Sequence, residues 1–80
     1  MKTPRDISGE FLADKLKVFG YLIVRQSGSH IRLTTHKNGE HHITIPRHNP
    51  LKIGTLSEII KDIANHLSVS KEDIIKKIIH

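Results

Sequence analysis

The chain has 80 residues, room for a single domain over residues 1–80 with a small core. With 36% hydrophobic and 26% charged residues, no apolar run near the roughly 20 residues that span a bilayer, and no apolar stretch of a secretory signal within the first ten residues, it is expected to be a globular cytoplasmic protein rather than a disordered, secreted or membrane one. Cysteine is absent, which removes disulfides, thiolate zinc sites and cysteine nucleophiles, and 13 Lys and Arg against 8 Asp and Glu give a net charge of +5 that favours a polyanionic partner.

Ser8 can cap a first helix in which Leu12, Leu16 and Phe19 recur at helical spacing, and Gly20 can stop it. Tyr21 to Gln26 is rich in strand formers, Ser27-Gly28 breaks it, and Ile31 to His36 resumes a period of two. Lys37-Asn38-Gly39-Glu40 turns the chain into a third strand, His41 to Ile45, which ends at Pro46 because proline cannot continue a ladder. A two-residue Ser27-Gly28 loop would set Val24 opposite Ile31 and Leu22 opposite Leu33. A three-residue loop with left-handed Gly39 would set Leu33 opposite Ile43 and Ile31 opposite Ile45. The expected sheet therefore has one apolar face of Leu22, Val24, Ile31, Leu33, Ile43 and Ile45. Its opposite face carries Tyr21, Ile23, Arg25, His30, Arg32, Thr34, His42 and Thr44.

Helices must cover the apolar face. A second helix is expected from Thr55, where Thr55 and Glu58 have the spacing of a capping box ahead of Leu56, Ile59, Ile60, Ile63 and Leu67. A third is expected after Ser70, with Val69 and Ile74 at staple spacing and Ile74, Ile75, Ile78 and Ile79 along one side. The loop from Pro46 to Gly54 carries Arg47, His48 and Lys52 just before the second helix. It reads either as an anion-attracting approach to a helix N-terminus or as a connector stiffened by its prolines.

Seven histidines raise the question of zinc, but their spacing does not support it. His41 and His42 are adjacent on a strand and so point to opposite faces, and no His-Glu-x-x-His frame is present. Seven of the acidic residues lie in or beside helices, and only Glu40 lies in the sheet region, at a hairpin tip outside the polar face. Neither a metal nor another cofactor is expected. His30 differs from the other histidines in following Ser27-Gly28-Ser29 at the mouth of a tight turn, where the expected register puts it opposite Arg25 and one alternate position from Arg32. An imidazole titrating near neutrality can take a proton from a ribose 2′-hydroxyl while guanidinium groups hold the phosphate. A solvated surface histidine is the other reading of the same pattern.

The stretches Gly20-Tyr-Leu-Ile-Val-Arg-Gln-Ser-Gly-Ser-His30 and Ile45-Pro-Arg-His-Asn-Pro-Leu-Lys-Ile-Gly-Thr-Leu56, in this order and at this spacing, resemble the signatures of the HicA (YcfA-like) family. The resemblance implies an α+β, double-stranded-RNA-binding-domain-like α-β-β-β-α fold, here with an added C-terminal helix. It implies a toxin that cleaves messenger RNA as an mRNA interferase and is neutralised by a HicB antitoxin covering the active face. It assigns catalysis to His30 and the supporting turn to Gly28 and Ser29. With the polar-face and loop readings, Arg25, Arg32, Arg47, His48 and Lys52 become the candidate RNA and phosphate contacts. Where such families often show a second histidine after the first, this chain has Ile31, which the register sends into the core. A non-catalytic RNA-binding module and a docking domain for an acidic protein are the competing functions; a cleavage assay and salt-sensitive binding to protein without affinity for RNA, respectively, would reveal them.

Overall fold

The computed structural model describes residues 4–79. Helix α1 (Gly9–Lys15) begins where Ser8, in extended conformation, accepts the Phe11 N–H at 3.0 Å and so satisfies one of the free donors of the first turn. A single 3-10 turn, Leu16–Phe19, continues it to Gly20. Three antiparallel strands follow in sheet order β1-β2-β3: β1 (Leu22–Ser27), β2 (His30–Thr35) and β3 (His41–Pro46). Helices α2 (Ile53–Leu67) and α3 (Lys71–Ile78) complete the α-β-β-β-α layout and its C-terminal addition. One face of the sheet, through Ile31, Leu33, Ile43 and Ile45, forms a common buried core with Leu12 and Leu16, with Leu56, Ile60 and Ile63 of α2, and with Ile74 and Ile78 of α3.

The β2–β3 register is the expected one, Leu33 opposite Ile43 and Ile31 opposite Ile45, and Gly39 is left-handed at φ 99°. The β1–β2 register corrects the expectation. The turn is Gly28-Ser29, with Ser27 opposite His30, and a bulge between Ile23 and Arg25 leaves Val24 as the extra residue. Ile23, not Leu22, therefore faces Leu33, and Gln26, not Val24, faces Ile31. Leu22 and Val24 stand on the outer face at 61% and 59% exposure, while Tyr21 is fully buried and Ile23 half-buried. A bulge changes which residues point inward. Here it exchanges two medium aliphatic side chains for a tyrosine ring whose hydroxyl finds His41 Nδ1 at 2.7 Å, so that the polar end of a large buried group is satisfied.

The second correction concerns α2. It starts at Ile53, with Lys52 as its N-terminal flank and no side-chain cap, so Thr55 lies inside the first turn and the Thr55/Glu58 capping box is not formed. Tertiary hydrogen bonding sets the start instead: buried Leu51 donates its N–H to Ile7 O at 2.7 Å, and Leu56 N–H reaches Lys52 O at 2.9 Å to close the first turn. Helix α3 is capped as expected by Ser70, which accepts the Asp73 N–H at 3.1 Å. Ile79, expected on the buried side, closes the helix at 50% exposure, and His80 lies outside the described residues.

Candidate active site

The outer face of the sheet carries the polar side chains of all three strands. His30 opens β2, directly opposite Ser27 on one side and Pro46 on the other. Its ring is exposed, with Nδ1 3.1 Å from Ser29 Oγ, and its Nε2 has no partner among the described residues. If the hydroxyl accepts from Nδ1–H, the Nε2 lone pair is left as a base open to solvent.

The turn that presents His30 is held from outside the hairpin. Gly28 has φ +45°, and Arg47 N–H donates to Ser29 O at 2.7 Å. The Arg47 guanidinium donates to Glu10 Oε1 at 2.8 and 3.2 Å, with a longer contact of 3.4 Å to Gly28 O. Arg47 thus ties α1 to the turn.

The bulge moves Arg25 away from His30 and sets it directly opposite Arg32, whose Nη1 donates to Thr44 Oγ1 at 3.0 Å. Two like charges facing each other across a ladder destabilise the sheet, and an anion between them removes the penalty. Lys52 lines a shallow groove with Thr44 and with Pro46, the cross-strand neighbour of His30. His48 is exposed in the loop, where its carbonyl accepts the Gly9 N–H at 2.9 Å. Of the sequence candidates, the fold brings His30, Arg25, Arg32 and Lys52 to one side of the sheet. It gives Arg47 to the turn and leaves His48 on the loop.

Sequence reasoning passed over a second arrangement on the same face. His42 is bonded at both ring nitrogens, Nδ1 to Thr34 Oγ1 at 2.7 Å and Nε2 to Glu40 Oε2 at 2.9 Å. The hydrogen bond from His42, then its charge, then that of His36 hold the Glu40 carboxyl below its ordinary value, and together they outweigh its partial desolvation. Glu40 lies in the turn just before β3, so strand alternation could not have paired it with His42. Between β3 and α2 runs a groove of about 450 Å³ lined by Arg32, His42 and Thr44 on the sheet side and by Glu58, Lys61 and Asn65 on the helix side. Among the described residues no three His, Asp or Glu side chains form a group able to hold a metal ion, and no helix is long and apolar enough to cross a membrane.

Residues 12–64, from within α1 to within α2, match the family described as HicA toxin of bacterial toxin-antitoxin. The chain belongs to the HicA toxin family. No curated protein and no solved structure matches it. The matched span contains the whole sheet, the Gly28–His30 turn and the groove residues from Arg32 to Asp62. As a HicA toxin the chain is the toxic member of a toxin–antitoxin pair, which implies a cognate antitoxin.

Proposed function

We propose that this HicA toxin is a metal-independent endoribonuclease, an mRNA interferase of the cytoplasm in which His30 is the catalytic residue. The observation that carries the reading is an exposed imidazole engaged at Nδ1, open at Nε2, and presented by a braced turn on the same face as the Arg25–Arg32 pair. His30 Nε2 takes the proton of a ribose 2′-hydroxyl, the 2′-oxygen bonds to phosphorus, and the bond to the 5′-oxygen breaks, that oxygen taking its proton from solvent. Arg25 and Arg32 hold the phosphate and offset its growing charge, and Lys52 extends the cationic surface toward α2. The products are a 2′,3′-cyclic phosphate and a free 5′-hydroxyl. A HicB-like antitoxin would silence the toxin by covering this face.

His30→Ala should reduce RNA cleavage by about a hundredfold or more, the scale of general acid–base catalysis. Its side chain makes a single exposed hydrogen bond, so folding stability should change by no more than about 0.5 kcal/mol. Cleavage by the unchanged protein should persist in excess EDTA and fail on a substrate with a 2′-deoxyribose at the cut. Full cleavage by a folded His30→Ala protein would remove the catalytic assignment. Loss of activity on chelation and its return with magnesium would remove the metal-free mechanism, and RNA that is bound but never cut would reduce the protein to a binding module.

A further inference from the structure

The groove between β3 and α2 shares Arg32 with the proposed cleavage face, but its far end lies beyond the cleavage chemistry. Its His42 lies opposite Thr34, four residues along β2 from His30 on the same face, a separation of roughly 13 Å at about 3.3 Å per residue. Two groups so far apart do not serve one phosphorus, since a general acid and base must each reach the reacting atoms by hydrogen bond. Both ring nitrogens of His42 are also occupied, by Thr34 and Glu40. What the fixed imidazole still offers is its flat face, the surface on which an unstacked base of single-stranded RNA is received.

The two walls of the groove differ. The sheet wall is internally bonded, Arg32 to Thr44 and His42 to Thr34 and Glu40. On the helix wall Glu58, Lys61 and Asn65 have no hydrogen-bond or ion-pair partner among the described residues, and Asp62 is engaged by His41 Nε2 at 3.3 Å. Glu58, Lys61 and Asn65 recur at the spacing of one helix face and so line the groove in a row. The carboxylates of Glu58 and Asp62 would repel a phosphate there, whereas the neighbouring Arg25–Arg32 pair attracts one. A volume of about 450 Å³ is within the range of roughly 300–1,000 Å³ typical of small-ligand sites.

A carboxylate has two acceptor oxygens side by side, and guanine alone among the four bases offers two adjacent donors, N1–H and N2–H, to match them. The same base carries the O6 and N7 acceptors that suit Lys or Arg. We propose that the groove is a base-reading subsite that takes one guanine flanking the cut, stacked on His42, bonded through N1–H and N2–H to Glu58 and through O6 or N7 to Lys61. The inference rests on the reading of this face as an RNA-cleaving one, and it names what that face selects.

Binding can be separated from cutting with short 2′-fluoro RNA oligomers, which lack the attacking hydroxyl, titrated in EDTA and followed by fluorescence anisotropy. With a single guanosine in a uridine background the full-length protein should bind roughly tenfold or more tighter than with adenosine, cytidine or uridine at that position. Inosine, which lacks the N2 amine, should fall between. Glu58→Gln, an exposed change on a helix surface, should keep the melting temperature and erase the guanine preference. Equal affinity for all four bases, or a preference that survives Glu58→Gln, overturns the subsite. Cleavage of unmodified RNA without regard to guanine overturns it while leaving the ribonuclease intact. A guanine preference in a protein that cuts nothing supports the subsite and overturns only the ribonuclease.

Discussion

At the scale of single residues, the question is what places an exposed histidine well enough to do chemistry. His30 has little packing of its own, and its position is inherited from Gly28-Ser29 and from Arg47, which reaches that turn through both its backbone and its side chain. The Arg47–Glu10 pair is partly exposed, so its contribution to stability is about 0–1 kcal/mol, and its value lies in positioning. Glu10→Gln distinguishes this role from a direct phosphate contact. Were Arg47 a phosphate ligand, releasing it from Glu10 would tighten RNA binding. As a brace it loses its anchor, so Glu10→Gln and Arg47→Ala should each lower kcat several-fold with little change in KM and in melting temperature. Steady-state kinetics on the two variants decide the matter, and a raised KM in Arg47→Ala with a lowered KM in Glu10→Gln would restore the phosphate role. That a turn falls here was legible in Ser-Gly-Ser-His, because glycine supplies the positive φ that a tight hairpin needs, but its two loop residues are Gly28-Ser29 and not Ser27-Gly28. The pairing of Glu10 with Arg47 was not, because a contact between residues 37 apart leaves no local pattern.

At the scale of elements, the proposed active face depends on how α1 and β3 meet. A Cβ added at Gly9 would lie 2.0 Å from Pro46 O, so only glycine lets the start of α1 approach the end of β3, where the Gly9 N–H also reaches His48 O. Gly9→Ala should therefore cost about 1–3 kcal/mol by overpacking. Because Pro46 is the ladder partner of His30, cleavage should fall along with stability, as urea unfolding followed by an activity assay on the folded fraction would measure. A variant with unchanged midpoint and full activity would contradict the packing. The later hairpin was readable because Asn-Gly and Pro46 punctuate it and its alternation is unambiguous. The first strand was not, since Tyr21, Leu22, Ile23 and Val24 are apolar on both faces and the period of two cannot say which set turns inward. The bulge at Val24 decides it, and decides also that Arg25 meets Arg32 rather than His30. Thr55 and Glu58 had capping-box spacing, yet the Leu51–Ile7 hydrogen bond starts the helix earlier and frees Glu58 for the groove. For the helix a tertiary contact overrode a local signal; for the strand the local signal was ambiguous and the bulge resolved it.

At the scale of the whole molecule, one side-chain network fastens the sheet to α2. Tyr21 bonds His41, His41 reaches Asp62 at 3.3 Å and stacks on His66 at 4.3 Å between ring centroids, and His66 Nε2 lies 2.9 and 3.0 Å from the Lys37 and Gly39 carbonyls of the β2–β3 turn. The network's titration is readable through its phenol. Burial, and secondarily the negative charge of Asp62, push the Tyr21 hydroxyl up to about 12 from an ordinary 10.0. Below pH 10 both folded and unfolded chains keep the proton, and the full stability is present. As pH rises from 10 toward 12 the unfolded chain ionises while the folded one resists, so stability drains across that window by an amount on the order of 2 kcal/mol at its upper end. Tyr21→Phe should be less stable near neutrality, having lost the bond to His41, yet should lose less on going alkaline, so the two stability curves converge as pH approaches about 12. Lysines titrate in the same range, but both proteins carry the same ones and their effect cancels in the difference. Tyr21 is also the chain's one tyrosine, so tyrosinate absorbance reports this hydroxyl alone. In the folded protein its midpoint should lie near 12 and in urea near 10. A folded-state midpoint at the ordinary value, or parallel stability curves for the two proteins, would mean that the ring is not held in the network that joins β1 and β3 to α2.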